Sequence, residues 1–404
     1  MVPHMQLAPI NLPPRSSRLV ELLWTGVPPG RASSPPGPLP ATEPDWQRVL
    51  NLAVRHGLGP LLAAELLERG DAELPNAIVA QSKSIRERAA RRALSQIAEL
   101  LRVLAAFQRE GIPALTFKGQ LLAAQAYGDV SLRSCFDLDI FVPESEVLRA
   151  KQALMALGYR PEFVLLPHQE ADLLRIECEY TFIHATTAAR VDLQWRPRAR
   201  YFSFPLPARE LWERSISTTL AGHPVKTFAI EDLVLMLVVH GAKHTWNRLD
   251  QVSTLAAVLR TNPGMDWSAV EQRAREHGAY RMLLLGVHLA TSWFSAPVPD
   301  RLGSAAEEDG QVIALARELA QAWFVADTLP SSVTSTLRLH LRMRERFVDR
   351  VRHCFWLAVT PGIQDWQINN LRPVLHRLHY CLRPLRLVRM QFMQRWSSHQ
   401  KPPN

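Results

Sequence analysis

The stretch RSCFDLDIFV, residues 133–142, places two aspartates two positions apart at the start of an apolar run. Successive side chains of a β-strand point to opposite faces, so Asp137 and Asp139 would share one face, roughly 6–7 Å apart along the backbone. The alternating residues Leu138 and Ile140 would then face a core. Such a strand opens its acidic side onto a site where two carboxylates can bind a divalent metal ion.

The bulk composition is that of a folded protein. The chain has 404 residues, of which 47% are hydrophobic and 21% charged, which excludes disorder of the whole chain and favours two or three domains. The formal net charge of +9 favours anionic partners such as nucleotides, nucleic acid or an acidic membrane surface. A basic protein without a polymeric ligand would show the same charge.

The cysteines and the apolar runs predict a cytoplasmic protein. The four cysteines, Cys135, Cys178, Cys354 and Cys381, are widely spread and include no CxxC pair, so neither a zinc knuckle nor a disulfide framework is indicated. The first residues lack the pattern of a signal peptide. The longest uninterrupted apolar run, residues 233–239, is too short to span a bilayer, so no transmembrane segment is expected.

Composition and periodicity divide the chain into four regions. Residues 1–43 are rich in proline and predict an irregular leader. Residues 44–112 show helical periodicity, residues 113–228 mix strands and helices, and residues 229–404 return to helices, with a basic end. The expected fold class is therefore α+β, with a compact mixed core between helical regions.

Within the mixed region, short apolar runs predict strands and longer periodic runs predict helices. Strands are expected at 114–117, 136–142, 160–166, 177–184 and 190–195. Helices are expected at 120–127 and 143–157, and in the C-terminal region at 232–243, 248–259, 267–277, 280–295 and 311–324.

A third aspartate lies on the last of these strands. Val191 and Leu193 alternate with Asp192 and Gln194, so Asp192 would lie on a polar face while its neighbours turn toward a core. One strand with two acids and a later strand with a third is a frequent arrangement for binding magnesium ions together with substrate phosphates. Asp192 is the predicted third ligand.

Two basic residues are candidates for binding phosphate. Lys118 and Gly119 stand between a predicted strand and a helix start, where glycine permits close backbone approach and a helix N-terminus favours an anion. Arg133 could reach the same phosphates with its two-pronged guanidinium group. It could equally pair with Asp129 or Asp137.

The order of these motifs resembles a known family. The motifs are FKGxxLxxxxY at 117–127, LR at 132–133, DLDIFV at 137–142, VDLQW at 191–195 and EDx7HxxxHxW at 231–246. Together they look like the uncharacterised nucleotidyltransferase family called nucleotidyltransferase 5, of the DNA polymerase beta-like superfamily. The resemblance covers about residues 95–290.

The resemblance implies a polymerase-beta-like core and magnesium-dependent transfer of a nucleoside monophosphate, AMP being favoured, from an NTP. The acceptor would be a hydroxyl or phosphate on a small molecule, peptide or protein, and pyrophosphate would be released. Asp137 and Asp139 would hold the metals, and Asp192 would complete the site and assist deprotonation of the acceptor. Lys118 and Gly119 take the place of a Gly-Ser pair in the wider superfamily.

Two residues depart from the family pattern, and others allow more than one interpretation. Phe136 stands where a small residue often precedes the first aspartate, and Gln194 replaces a frequent histidine. Lys243 or His244 is expected near the nucleotide, with Trp246 packing in the core or stacking on a base.

His240 and His244 have a spacing that can bind zinc, but no third ligand is evident. Tyr127 is expected to pack. The basic C-terminal helices could contact RNA, an acidic partner or a membrane surface, or simply be solvated. A noncatalytic nucleotide-binding scaffold and a toxin-like tRNA nucleotidyltransferase are the alternatives to the favoured function.

Overall fold

The computed structural model describes residues 43–69, 74–324, 333–362 and residue 383. The predicted proline-rich leader, apart from Glu43, and most of the basic C-terminal end therefore lie outside the described residues. Within the described part of the chain, no helix combines the length and apolarity needed to cross a bilayer.

In the described part of the chain, three helices precede the first strand. They are α1 (Glu43–Arg55), α2 (Gly59–Arg69) and α3 (Asn76–Arg109). The 34 residues of α3 include no proline or glycine, and its buried side chains recur at helical spacing, so it continues without a break.

A five-stranded mixed sheet follows. Its strands are β1 (Leu115–Thr116), β2 (Leu138–Phe141), β3 (Tyr159–Pro161), β4 (Glu179–His184) and β5 (Arg190–Gln194). The spatial order is β1-β2-β5-β4-β3. Strands β2 and β5 pair in parallel, and the other neighbours are antiparallel. The parallel pair puts the two acid-bearing strands side by side.

Short helices connect the strands, and a separate hairpin closes this region. The helices are α4 (Gly119–Tyr127), α5 (Val147–Ala156), α6 (Pro167–Ile176) and α7 (Ala208–Glu213), with 3₁₀ turns at Glu144–Glu146 and Arg200–Phe202. The hairpin consists of β6 (Ile216–Leu220) and β7 (His223–Thr227).

Eight helices make up the rest of the described chain. They are α8 (Ile230–Lys243), α9 (Leu249–Thr261), α10 (Trp267–Glu276), α11 (Tyr280–Phe294), α12 (Asp300–Glu308), α13 (Gly310–Phe324), α14 (Val333–Arg342) and α15 (Phe347–Val359).

Two apolar cores hold these elements together. Leu138 and Ile140 of β2 belong to one core with Val191 and Leu193 of β5, which confirms the predicted alternation along both strands. The other core joins the N-terminal helices α1 and α2 to helices α8 to α14 and includes Phe141 of β2. Strand β2 therefore contributes side chains to both cores.

Most predicted elements are present, and three differences have physical causes. The strand predicted at 160–166 ends at Pro161, because the chain leaves the sheet there, and Val164 is 92% exposed. Helix α6 begins at Pro167 in a stretch without a clear helical pattern. The hairpin of β6 and β7 turns at Ala221 and Gly222, both with positive φ, rather than at the Asn-Gly or Asp-Gly pair that usually marks such turns.

Candidate active site

The acidic residues of β2 and β5 lie next to each other. Asp139 and Asp192 are register partners in the parallel pair, where neighbouring strands are about 4.8 Å apart. Both side chains are buried, on the sheet face opposite Ile140 and Leu193. The sequence prediction that these two acids share one site is thus consistent with their placement.

Asp139 is neutralised by donors from two other segments. Lys118 Nζ donates to Asp139 Oδ1 at 3.0 Å, and Gln194 Nε2 donates to the same oxygen at 2.7 Å. Lys118 precedes α4 and is itself buried. A buried carboxylate without such partners would carry a large desolvation penalty, so Lys118 serves as the counter-charge of Asp139. Gln194, the departure from the family pattern, acts as a second donor.

Asp192 accepts hydrogen bonds from the neighbouring strand β4 and from its own strand β5. Thr181 Oγ1 of β4 donates to Asp192 Oδ1 at 2.7 Å, and Arg190 Nε donates to that oxygen at 3.2 Å. The pKa of Asp192 is raised, first by burial and, among other causes, by the charge of Asp139. A carboxylate with a raised pKa accepts a proton more readily than an ordinary aspartate.

The pKa of Asp137, which lies one position before β2, is affected by both other acids. Its pKa is raised to about 6, mainly by burial and then by the negative charges of Asp139 and Asp192, while Lys118 acts in the opposite direction. The three carboxylates are thus close enough to repel one another. No three His, Cys, Asp or Glu side chains of the described residues form a ready metal cluster. The Asp139 carboxylate is paired with Lys118 instead.

Gly119 begins helix α4 with φ of +55°. Side chains other than glycine rarely adopt this conformation. The turn lets the chain pass from Lys118, which faces Asp139, directly into the helix. A β-carbon on Gly119 would lie 3.7 Å from the backbone oxygen of Asp137, so the start of α4 is close to the segment that leads into β2.

Arg133 pairs with neither of the acids that the sequence offered. Its Nη1 lies 3.0 Å from Cys135 Sγ, and Asp129 instead accepts from Arg86 of α3 at 3.0 Å. The charge of Arg133 nevertheless lowers the pKa of Asp137, against the larger opposing effects. Arg133 is thus near the acids and keeps donors for another partner.

Lys243 and His244, at the end of α8, lie on the helical side of the site. Lys243 Nζ is 3.8 Å from Glu179 Oε1. The pKa of His244 is lowered to about 3, first by burial and then by Lys243, Arg198 and Lys118, so His244 is neutral. The influence of Lys118 indicates that His244 and the Lys118-Gly119 motif lie near each other.

The structure decides how Trp246 and Tyr127 are used, and it narrows the alternatives for the histidine pair of α8. Trp246 is fully buried and stacked against Gly241, where a β-carbon would overlap its ring, so it packs in the core. Tyr127 also packs, with its hydroxyl 3.1 Å from Ser253 Oγ. His240 and His244 are in ring contact, in keeping with a helix-packing pair.

Several neighbours of the acids were missed by sequence reasoning. Arg190 stands two positions before Asp192, a same-face spacing that could have been noticed. Thr181 could be found only from the register of β4 against β5. Phe136 does not narrow the space between the acids, because its ring is 59% exposed and lies under Arg92.

Two cavities begin beside the acids. One, of about 260 Å³, is lined by Arg133, Cys135 and Phe136, just before Asp137, and by residues of α3. The other, of about 490 Å³, is lined by Thr181 and Arg190, the partners of Asp192, and by Glu179. Both cavities are lined by chain neighbours or hydrogen-bond partners of the acids, and none of the three acids is itself a lining residue.

Comparisons with known proteins place this site in a family. The family model described as Uncharacterised nucleotidyltransferase matches residues 42–295. Curated protein sequences include no match.

Two solved structures are similar to parts of the chain. The crystal structure of ANT(2'')-Ia in complex with adenylyl-2''-tobramycin is 15% identical, with a TM-score of 0.31, over 45% of this chain and 97% of that one. The solution structure of the antibiotic-resistance factor ANT(2'')-Ia is 17% identical, with a TM-score of 0.28, over 53% and 96%.

The predicted α+β class, a small mixed sheet with flanking helices, is confirmed by the structure. The residues that carried the resemblance, from Phe117 to Trp246, all fall inside the matched segment. Since that segment is more than half of the chain, the protein belongs to this nucleotidyltransferase family.

Proposed function

We propose that this nucleotidyltransferase uses magnesium to transfer a nucleoside monophosphate, AMP in the first instance, to a hydroxyl or phosphate on a small molecule, peptide or protein. The observation that carries the proposal is the register pairing of Asp139 with Asp192, with Asp137 close enough for its pKa to rise in response. Three carboxylates that repel one another in a buried site favour a cation between them.

The residues present suit a divalent ion by the chemistry of their donors. Asp137, Asp139 and Asp192 supply only carboxylate oxygens, which magnesium prefers. When bound, the metal would neutralise phosphate charge and lower the pKa of the attacking hydroxyl. Asp139 already balances its charge against a cation, the Lys118 ammonium group.

The proposal assigns the NTP phosphates to the start of α4. Lys118 would offer its ammonium group as a point charge, and the amides of the first helical turn after Gly119 would donate to phosphate oxygens. Arg133 would add a planar donor from the opposite segment. Lys243 and His244 are assigned to the nucleotide on the helical side, because the charge of Lys118 helps to lower the pKa of His244.

The transfer step follows from the position of Asp192. The acceptor oxygen would form a bond to the α-phosphorus while the bond from that phosphorus to the bridging oxygen breaks and pyrophosphate leaves. Asp192, whose pKa is raised, would take the proton of the acceptor hydroxyl. Lys118 and Arg133 would stabilise the negative charge that develops on the leaving pyrophosphate.

Incubation of the purified protein with each α-labelled NTP, magnesium and a cell extract tests the proposal. Label in a small molecule, a peptide or a protein supports it, and that label should vanish when EDTA removes the metal. Label in tRNA would favour a tRNA nucleotidyltransferase. Bound but unconverted NTP in every extract would favour a noncatalytic scaffold and contradict the proposal.

A further inference from the structure

The cavity beside Asp137 is lined by four arginines from three segments of the chain. Arg88 and Arg92 come from α3, Arg133 from the loop before β2, and Arg248 from the residue before α9. None of the described residues that line this cavity is acidic. Arg248 has its own counter-ion, since Asp250 accepts from it at 2.7 Å, which leaves three arginines to give the cavity its positive charge.

Contacts with neighbouring residues hold two of these arginines, Arg92 and Arg248, at the cavity wall. Arg88 and Arg92 are four positions apart and share one face of α3. The Arg92 guanidinium lies 4.7 Å from the centre of the Phe136 ring, a contact that holds the cation at the cavity wall. Gly57 has φ of +75°, and a β-carbon there would overlap Arg248. Glycine at this position therefore makes room for the fourth arginine.

Arg133 has a donor that lacks an acceptor. Its Nε is buried and has no hydrogen-bond partner among the described residues. Buried donors are nearly always paired, so an unpaired one needs an explanation such as an absent ligand. A guanidinium group that has donors left over and lines a cationic cavity is suited to the oxygens of a phosphate.

We propose that this arginine-lined cavity binds phosphate groups of a substrate. The phosphates belong either to the triphosphate of the NTP or to a phosphorylated acceptor, and this assignment to a substrate rests on the proposed function. The helical N-terminal region, through Arg88 and Arg92, then belongs to the binding site and does not serve only as a support for the core.

The test is calorimetric titration of the metal-free protein with inorganic tripolyphosphate and, separately, with ATP. The variant is Arg88→Gln/Arg92→Gln, whose side chains are exposed on a helix surface and whose fold is checked by circular dichroism. The matched control is Arg91→Gln on the same helix, since Arg91 is exposed and pairs with Glu87. Two lost charge-assisted bonds should weaken tripolyphosphate binding at least about tenfold in the double variant only.

The two sources of phosphate give different results. If ATP affinity falls together with tripolyphosphate affinity, the cavity holds the NTP triphosphate. If ATP affinity is unchanged while tripolyphosphate binding falls, the cavity holds a phosphate of the acceptor. Tripolyphosphate binding that is absent in the unaltered protein, equal in the double variant, or equally weakened by Arg91→Gln overturns the proposal. These titrations involve no turnover, so arginine-dependent binding would stand even if no NTP were consumed.

Discussion

The two faces of strand β2 perform different tasks with alternate residues of one short segment. Leu138 and Ile140 face an apolar core with the corresponding residues of β5. Asp137 and Asp139 face the site, where Lys118 and Asp192 are their neighbours. Stability and chemistry are thus separated by a period of two residues. Changes on one face should alter folding, and changes on the other should alter activity.

The largest expected effect is on the acidic face. Asp139→Asn keeps an oxygen that can accept from Lys118 and Gln194 but removes the charge that would hold the metal. We expect nucleotidyl transfer to fall at least about a thousandfold, with circular dichroism showing that the fold is kept, while the unfolding midpoint falls because the buried Lys118 loses its counter-charge. The measurement is release of labelled pyrophosphate.

The matched control for this variant is Asp300→Asn, because Asp300 is exposed at the start of α12. This control makes the same chemical change away from the site and should keep full activity. A fully active Asp139→Asn protein would remove Asp139 from the mechanism.

The next effect is on the apolar face. Ile140 is fully buried, so Ile140→Ala should lower the free energy of unfolding by about 2–5 kcal/mol through lost burial and the cavity left behind. Urea denaturation measures this loss. Ile183→Ala on β4 is the control, because Ile183 is 37% exposed and should cost less. Equal losses in both variants would mean that β2 is not the buried strand described above.

The third effect is on stability and comes from the acidic face, through the ionisation of Asp137. The folded protein raises the pKa of Asp137 from an ordinary value near 3.8 to about 6. The folded state therefore binds this proton more tightly than the unfolded state. The stability from this group is fully present below about pH 4 and is lost as the pH rises through about 6.

Metal-free Asp137→Asn should consequently be more stable than the unaltered protein at pH 7.5, by about 1–2 kcal/mol after allowance for solvent screening. The two proteins should be equal near pH 3.5. Urea denaturation in EDTA at both pH values provides the check. A stabilising difference that is the same at both pH values would point to packing rather than to ionisation.

The last effect, similar in size to the previous one, concerns the second donor to Asp139. Gln194→Met preserves the size of the side chain but removes a hydrogen bond to a carboxylate. The fold should lose about 1.5–3 kcal/mol at most, and transfer should decline modestly because Asp139 is less firmly oriented. Stopped-flow measurement of the transfer rate at saturating NTP tests the expected decline in activity. An unaltered rate with lowered stability would confine Gln194 to a structural role.

The sequence alone was sufficient to predict the strands in which polar and apolar residues alternate cleanly. It was insufficient to predict contacts between segments that are far apart in the chain. The period of two at Asp137–Val142 and at Arg190–Gln194 fixes which side chains face the core, because a register slip would expose all of them at once. The Lys118-Gly119 turn was recognisable from glycine chemistry. Its pairing with Asp139 was not, since it depends on where α4 enters relative to β2.

Other features of the site depend on packing between distant segments. The Phe136 ring lies against Arg92, which is more than forty positions earlier in the chain. The contact of Lys243 with Glu179 requires helix α8 to pack beside β4. No local pattern encodes such distances. The arginines of α3 looked like an ordinary solvated helix face for the same reason.

The long helix α3 has a mechanical consequence for this enzyme. Its first half places Ile78 and Ile85 in one core, and its second half places Ile97 and Val103 in the other. At about 1.5 Å per residue, it forms a rod of about 50 Å. Arg88 and Arg92 lie between the two cores, in a stretch without a glycine or proline that could act as a hinge. A helix that continues through both cores without a hinge resists wide opening of one core away from the other.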